Sequence, residues 1–292
     1  MTICVAVAVN DGVVFAADSA STLSMTRPDG TSIVSNVYKN GLKVFNLYKG
    51  KPLVAMTCGL GNFGTESISS LAKEFRYRLM HGDADQGINE KNFTVEEVVS
   101  RAKSFLYDEK FKALDRQPTS QFEFWIAGYP SEMSGKFELW KIVFTGGNCQ
   151  DPVKLGDPGE TGIHWGGAIS PISRLILGFD PSSLWGAVTK AMESMSGTDE
   201  KTKAEIVNHI ITTIRNHSVV QLSDPSMPIQ DAIDLASYLA DTAKRFYRFL
   251  PGSDIVGGDT DIAVITRYEG FKWVERKHYY PAELNRLETD HV

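Results

Sequence analysis

Thr2-Ile3-Cys4-Val5-Ala6-Val7-Ala8-Val9, then Asn10-Asp11-Gly12, then Val13-Val14-Phe15-Ala16-Ala17-Asp18 is the stretch from which the fold is read. The first segment alternates like a pleated strand, the middle one supplies turn residues, and the third is β-branched and aromatic, so the pattern predicts a hairpin. Thr2 stands behind Met1 and in front of the first strand. A methionine before so small a side chain is normally trimmed, and the mature chain is then expected to begin at Thr2 with a free α-amine. A terminal threonine carries a hydroxyl nucleophile and an amine base in one residue. The amine's reference pKa of about 7.7–8 leaves part of it unprotonated near neutrality, which makes Thr2 the first candidate catalytic residue.

Beyond the hairpin, Leu42–Leu47 and Leu53–Cys58 read as further strands separated by a turn, and the second runs into a glycine-rich bend. The period then changes. Ile68, Leu71, Phe75 and Leu79 fall on one face of a helix ending before Gly82. Val95, Val98, Val99, Ala102, Phe105 and Leu106 mark a second, opened by Thr94 with Glu97 three residues on, a capping box. Phe122–Ala127 and Phe137–Phe144 read as a second set of strands. Residues Gly166 to Met195 read as at least two helices divided by Pro171 and Pro181. Ile229–Phe249 reads as a long late helix, and Ile262–Thr266 with a hairpin through Gly270 to Val274 closes the core. The tail from Pro281 reads as a short helix or a frayed end. No repeat, low-complexity stretch or long linker interrupts the pattern, so one domain over residues 1–292 is expected.

The chain is 42% apolar and 23% charged with a net charge of −6, a mildly acidic globular composition without the Lys/Arg runs that nucleic acid or an anionic membrane surface would need. Cys4, Cys58 and Cys149 lie far apart and form no Cys-x-x-Cys, which gives neither a disulfide framework nor a zinc signature. No secretion signal and no apolar run of about eighteen residues is present, so a cytoplasmic location is expected.

Several stretches together resemble the proteasome β-type subunits, including the bacterial members of that family. They are Thr2 through Thr22, Gly41-Leu42-Lys43-Val44-Phe45, Cys58-Gly59-Leu60-Gly61, weakly Ala127-Gly128-Tyr129, and Asp231 to Thr266 with Gly257-Gly258 and Asp261-Ile262-Ala263-Val264-Ile265-Thr266. About half the chain is covered, in the family's order. The resemblance implies an α+β fold, a four-layer αββα sandwich of two antiparallel sheets (the N-terminal nucleophile hydrolase fold). It implies Thr2 as nucleophile, Lys43 beside it favouring deprotonation, Asp18 pairing with Lys43, and the Gly59 N–H receiving the oxyanion, an interaction worth about 3 kcal/mol in other hydrolases. It implies Thr22 as a main-chain contact for an extended substrate, and Ser21, Gly41, Phe45, Thr57 and Gly61 as an uncharged side-chain pocket.

The implied activity is that of a threonine-type endopeptidase or amide hydrolase in a self-compartmentalised homo-oligomer, ring or helical stack. Peptides or unfolded proteins would be its substrates, an unfoldase is left open as a partner, and no cofactor is needed. An inactive assembly subunit and a small-amide hydrolase are the alternatives on the same scaffold. The sequence departs from the family in two places. Its catalytic members carry a serine where this chain has Ile163–Ala168 without one, and an Asp and a Ser before the late Gly-Gly where this chain has Ser253-Asp254-Ile255-Val256, out of phase by a residue. Ser170 or Asp254 would have to substitute. The segment around 194–228 has no counterpart there.

Three other signals take their plainer readings. Gly59-Leu60-Gly61-Asn62-Phe63-Gly64 satisfies the dinucleotide pattern, but the strands before it are joined by tight turns, so a tight bend is expected. Asp259-Thr260-Asp261 is expected to solvate a turn or bond backbone, not hold a metal. His164 is expected to be a packed histidine.

Overall fold

A computed structural model describes residues 2–27, 32–132, 135–193, 199–251 and 256–277. Strands β1 (Ile3–Val9) and β2 (Gly12–Ala17) form the expected hairpin, with Val9 opposite Gly12. β3 (Ser21–Thr26) and β4 (Ser32–Tyr38) form a second, which the sequence pattern does not announce. β5 (Val44–Asn46) and β6 (Leu53–Gly59) pair, and the short ribbon β7 (Asn62–Phe63) and β8 (Glu66–Ser67) leads into α1 (Ile68–His81), whose cap is Ser67. α2 (Val95–Lys103) starts at Thr94, whose Oγ1 accepts from Glu97 N at 3.1 Å. It continues as a π-helical segment, Ser104–Phe111, and the widened turn lets Leu106 and Phe111, five residues apart, enter the same core.

β9 (Phe122–Gly128), β10 (Glu138–Thr145) and the short β11 (Asn148–Cys149) and β12 (Val153–Lys154) complete the second strand group. The next segment differs from expectation. Gly162–Gly167 is a strand, β13, with helices only from α3 (Ser170–Leu177) and α4 (Pro181–Glu193) onward. Three glycines in six residues hide a strand from any pattern of side chains. α5 (Glu200–Ser218) fills part of the segment without a counterpart, and α6 (Ile229–Arg248), β14 (Asp261–Thr266) and β15 (Gly270–Glu275) follow as read. The tail beyond Lys277 lies outside the described residues.

The strands make two main antiparallel sheets, ordered β13-β1-β2-β14-β15 and β11-β10-β9-β6-β5, with β12 beside β10. Strand alternation assigns each side chain to a face. From β1, Ile3, Val5, Val7 and Val9 join α3 and α6 in one apolar cluster, while Cys4, Ala6 and Ala8 meet Val54, Met56, Trp125 and Ala127 of the other sheet. On the far side of that sheet, Leu53, Ala55, Phe122, Phe124 and Ile126 pack against α1, α2 and the π-helical segment. Each fully buried large side chain of this kind is worth about 1.5–3 kcal/mol of transfer free energy. The fold is therefore mixed, with helices covering the outer face of each antiparallel sheet and a core between the sheets. Small residues on β1 and β2 (Cys4, Ala6, Ala8, Ala17) leave room for the large Trp125, Phe15 and Met56 in that core.

Candidate active site

Thr2 sits at the open end of β1, 5% exposed, with its carbonyl accepting from Ala168 N at 2.7 Å. That contact requires glycine at the preceding position. Gly167 has φ +79, and a Cβ there would lie 1.9 Å from Thr2 O. The edge strand β13 thus fixes the start of the chain, a role with no sequence signal beyond the glycines themselves.

Asp18 follows β2 at the same end of the sheet and is fully buried. Its carboxylate accepts from Ile3 N at 2.9 Å, Ala20 N at 3.2 Å and Gly257 N at 3.0 Å, and from Lys43 Nζ at 2.6 Å. Four donors satisfy a charge that would otherwise be costly to bury. The Lys43 side chain is 8% exposed, and its own carbonyl accepts from Thr57 N at 2.9 Å, tying it to β6.

Thr2 and Lys43 border one cavity of about 170 Å³. Thr57 and Gly59 line it too, with Ala20, Ser21, Thr22, Gly41 and Gly61. Ser67, Ile68 and Ser69 from the start of α1, together with Leu42, Cys58 and Leu60, complete the wall and were not anticipated. Gly59 has φ +95, and a Cβ there would lie 2.1 Å from Gln121 O, so the bend admits no other residue without movement. The glycine pattern at 59–64 is accordingly a tight bend leading to β7 and β8.

Two expected members do not line this cavity, and a third cannot be placed. Phe45 pairs with Ala55, whose side chain faces α1, so Phe45 packs into the helix-side core and lines a different, smaller cavity. Ser170 opens α3 and is turned to other work. Its Oγ accepts from Arg174 Nε at 3.3 Å, and its hydroxyl, after the Ser183 N–H, helps hold the Asp180 carboxyl below its usual range. Asp254 lies outside the described residues.

Two features behind the cavity escaped the sequence reading. Cys58 borders it beside Cys4, and hydrogen bonding to Cys4, then burial, pushes its thiol well above the usual range. Cys4 Sγ in turn donates to Thr57 O at 3.3 Å. The second feature is a buried pair, Lys277–Asp261, at 2.9 Å. Lys277 Nζ also donates to Gly41 O at 3.2 Å and to Ser19 Oγ, while Gly41 N donates to Ser19 O at 2.8 Å. The cavity wall at Ser19–Ser21 and Gly41 is thereby clamped to the last described residue. Asp261 thus belongs to an ion pair. Among the described residues no group of three His, Cys, Asp or Glu side chains is placed to hold a metal. His164, on β13, is mostly buried, and burial pulls its imidazole below the ordinary value.

A structure of the helical assembly of the Anbu complex from Pseudomonas aeruginosa is similar to this chain, with a TM-score of 0.51 and 15% identity over 97% of this chain and 91% of that one. The likeness is one of fold. A Gly-1 mutant of Anbu from Hyphomicrobium sp. strain MC1 aligns with a TM-score of 0.48 and 14% identity over 95% of this chain and 86% of that one. No family model matches the chain, and no curated protein matches it. The resemblance to proteasome β-type subunits is corrected accordingly: it does not extend to a family assignment, because the quoted motifs are short, glycine-rich and separated, and the likeness that remains is to an Anbu structure at an identity that carries fold alone.

Proposed function

We propose that the chain is a threonine-type amide hydrolase whose nucleophile is Thr2, once its amine is freed by removal of what precedes it. The observation that carries this reading is that Thr2, the buried Lys43 ammonium and the Gly59 bend border one cavity. Thr2 Oγ attacks the scissile carbonyl carbon while the hydroxyl proton passes to the α-amine. The oxyanion accepts the Gly59 N–H, and collapse of the intermediate expels the leaving amine, which takes that proton. Water, deprotonated by the same amine, then hydrolyses the ester and restores Thr2. Lys43 favours the deprotonated hydroxyl and amine through its charge, and Asp18 fixes the ammonium.

In this reading Thr22 runs alongside an extended substrate, and Ser21, Thr57 and Gly61 line a pocket for small or apolar side chains. Strongest cleavage after acidic or basic residues would refute that preference. Peptides or unfolded proteins are the substrates, with an unfoldase as a further partner. We read the stacked cores as a four-layer αββα sandwich of the N-terminal nucleophile hydrolase type, one domain over residues 1–292, working in the cytoplasm as a homo-oligomer. Assembly is supported by α4, an apolar helix whose sole buried residue is Met192 and which exposes Trp185, and by the helical assembly of the protein of similar fold.

One observation favours a second reading, an inactive assembly subunit: Ser170 is bonded to Arg174 and Asp180 and does not border the cavity. N-terminal sequencing with intact mass, followed by labelling with a peptide epoxyketone, separates the two. The expected result is an adduct on Thr2 that Thr2→Ala abolishes. A folded chain with a free Thr2 amine that takes no adduct, or a chain that keeps Met1, supports the inactive reading. Turnover of peptides against small amides then separates a peptidase from a small-amide hydrolase.

A further inference from the structure

A second cavity, of about 60 Å³, opens between β5, α1 and the end of β15, and Leu42 lines both it and the first. Its uncharged lining is mostly apolar, Val44, Phe45, Ala72 and Trp273 with Asn46 beside them. Its charged side chains are Lys73, Arg76 and Arg276, all cations. None of the three is ion-paired among the described residues. Arg76 is half-buried, and burial, with Arg276 beside it adding the same effect, pulls its guanidinium below the usual arginine range. The Arg276 guanidinium lies over the Trp273 ring, 4.9 Å from its centroid, which holds it at the cavity mouth.

Among the described residues these cations meet over the cavity without a counter-ion, and like charges so placed oppose one another. Such an arrangement complements one kind of ligand: a planar anion that a guanidinium can grip with two parallel hydrogen bonds, attached to an apolar body. A phosphate suits it less, because the uncharged lining is mostly apolar and, Asn46 and the Trp273 indole N–H apart, offers no side-chain donor to the remaining oxygens of a strongly hydrated dianion.

We propose that this cavity binds a small organic carboxylate, held by Arg76 and Arg276 with Lys73 at the rim and its hydrocarbon part against Phe45 and Trp273. The site is separate from the Thr2 cavity and does not depend on the chemistry proposed there. Binding weakens as salt rises, because the attraction is partly exposed to solvent.

The experiment is calorimetric titration and thermal melting of the intact protein at low salt, with isovalerate, its neutral isostere isovaleramide, and inorganic phosphate as probes. Isovalerate is expected to bind saturably and raise Tm, with isovaleramide at least tenfold weaker. Arg76→Gln and Arg276→Gln are each expected to lose at least tenfold in isovalerate affinity. Arg76→Gln is also expected to melt higher than the parent protein without probe, because it removes a desolvated, repelled charge; a residue that served packing alone would melt lower. Equal affinity for acid and amide, tighter binding of phosphate, or undiminished affinity in Arg76→Gln would each overturn the proposal. So would isovalerate binding that emerges only on dilution, since a second copy of the chain would then be the occupant.

Discussion

Two lysine–aspartate pairs lie buried near the same end of the first sheet, and they are closely matched. Lys43–Asp18 is 2.6 Å long with side chains 8% and 0% exposed, and Lys277–Asp261 is 2.9 Å long with 7% and 0%. They differ in what else the ammonium touches. An ammonium has three donors, and Lys277 uses all of them, on Asp261, Gly41 O and Ser19 Oγ. Lys43 has Asp18 as its hydrogen-bond partner among the described residues and borders the cavity that Thr2 also borders. An ammonium with its donors filled can only hold structure, whereas one with donors to spare beside a cavity can act on what enters it. The carboxylates differ in the opposite sense: Asp18 gathers three backbone N–H groups from separate parts of the chain, and Asp261 receives one, from Lys277.

Lys43→Met tests the difference most severely. It removes the charge beside Thr2 while leaving Asp18 three N–H partners, so the fold is expected to survive. Epoxyketone labelling of Thr2 is expected to slow on the order of 10²–10⁴-fold, the range of a positioned acid–base group. Labelling at the parent rate would erase the contrast between the pairs.

The converse substitutions probe structure. Asp18→Ala strands a buried ammonium and frees three N–H groups, and Lys277→Met strands a buried carboxylate; urea unfolding is expected to register a loss of about 3–5 kcal/mol for each. The contrast lies in labelling. Lys277→Met, measured where it remains folded, is expected to slow Thr2 labelling less than tenfold, through the slackened wall at Ser19 and Gly41, and to raise peptide KM more than it lowers kcat. A loss as large as that of Lys43→Met would make the clamp a direct participant. Gly59→Ala tests the wall from the other side: with φ +95 and Gln121 O 2.1 Å from the new Cβ, it is expected to cost at least about 2 kcal/mol in the same unfolding experiment.

The first of these pairs was legible in the sequence and the second was not. The pairing of Asp18 with Lys43 was implied by the resemblance of the stretches that carry them, Thr2 through Thr22 and Gly41–Phe45. Lys277 lies between the closing hairpin, read to Val274, and the tail from Pro281, in a charged stretch, Glu275-Arg276-Lys277, to which the sequence pattern assigns nothing. Its partner Asp261 reads as one acid of a turn. Only long-range packing unites them. The same reason hid β13, where glycine erases the side-chain pattern, and α5, whose buried face is reduced to Val207. Phe45 was placed in the pocket by the resemblance alone, and its pairing with Ala55 in β5 turns it to the helix-side core instead.

The smallest effect belongs to neither pair. His164, opposite Ala6 of β1, has its imidazole pulled below the ordinary value of 6.5 by burial first, with Lys141 acting the same way and Glu160 against. The unfolded chain therefore takes up a proton near pH 6.5 that the folded chain still refuses. Stability on this account is full above that pH, falls as the pH falls through the window below it, and levels off once the folded protein is protonated too. His164→Gln keeps a polar group of similar reach and removes the titration, so its urea midpoint is expected to change less than the parent's between about pH 7 and pH 5.5. If the two proteins lose stability with the same slope, the acid sensitivity arises elsewhere.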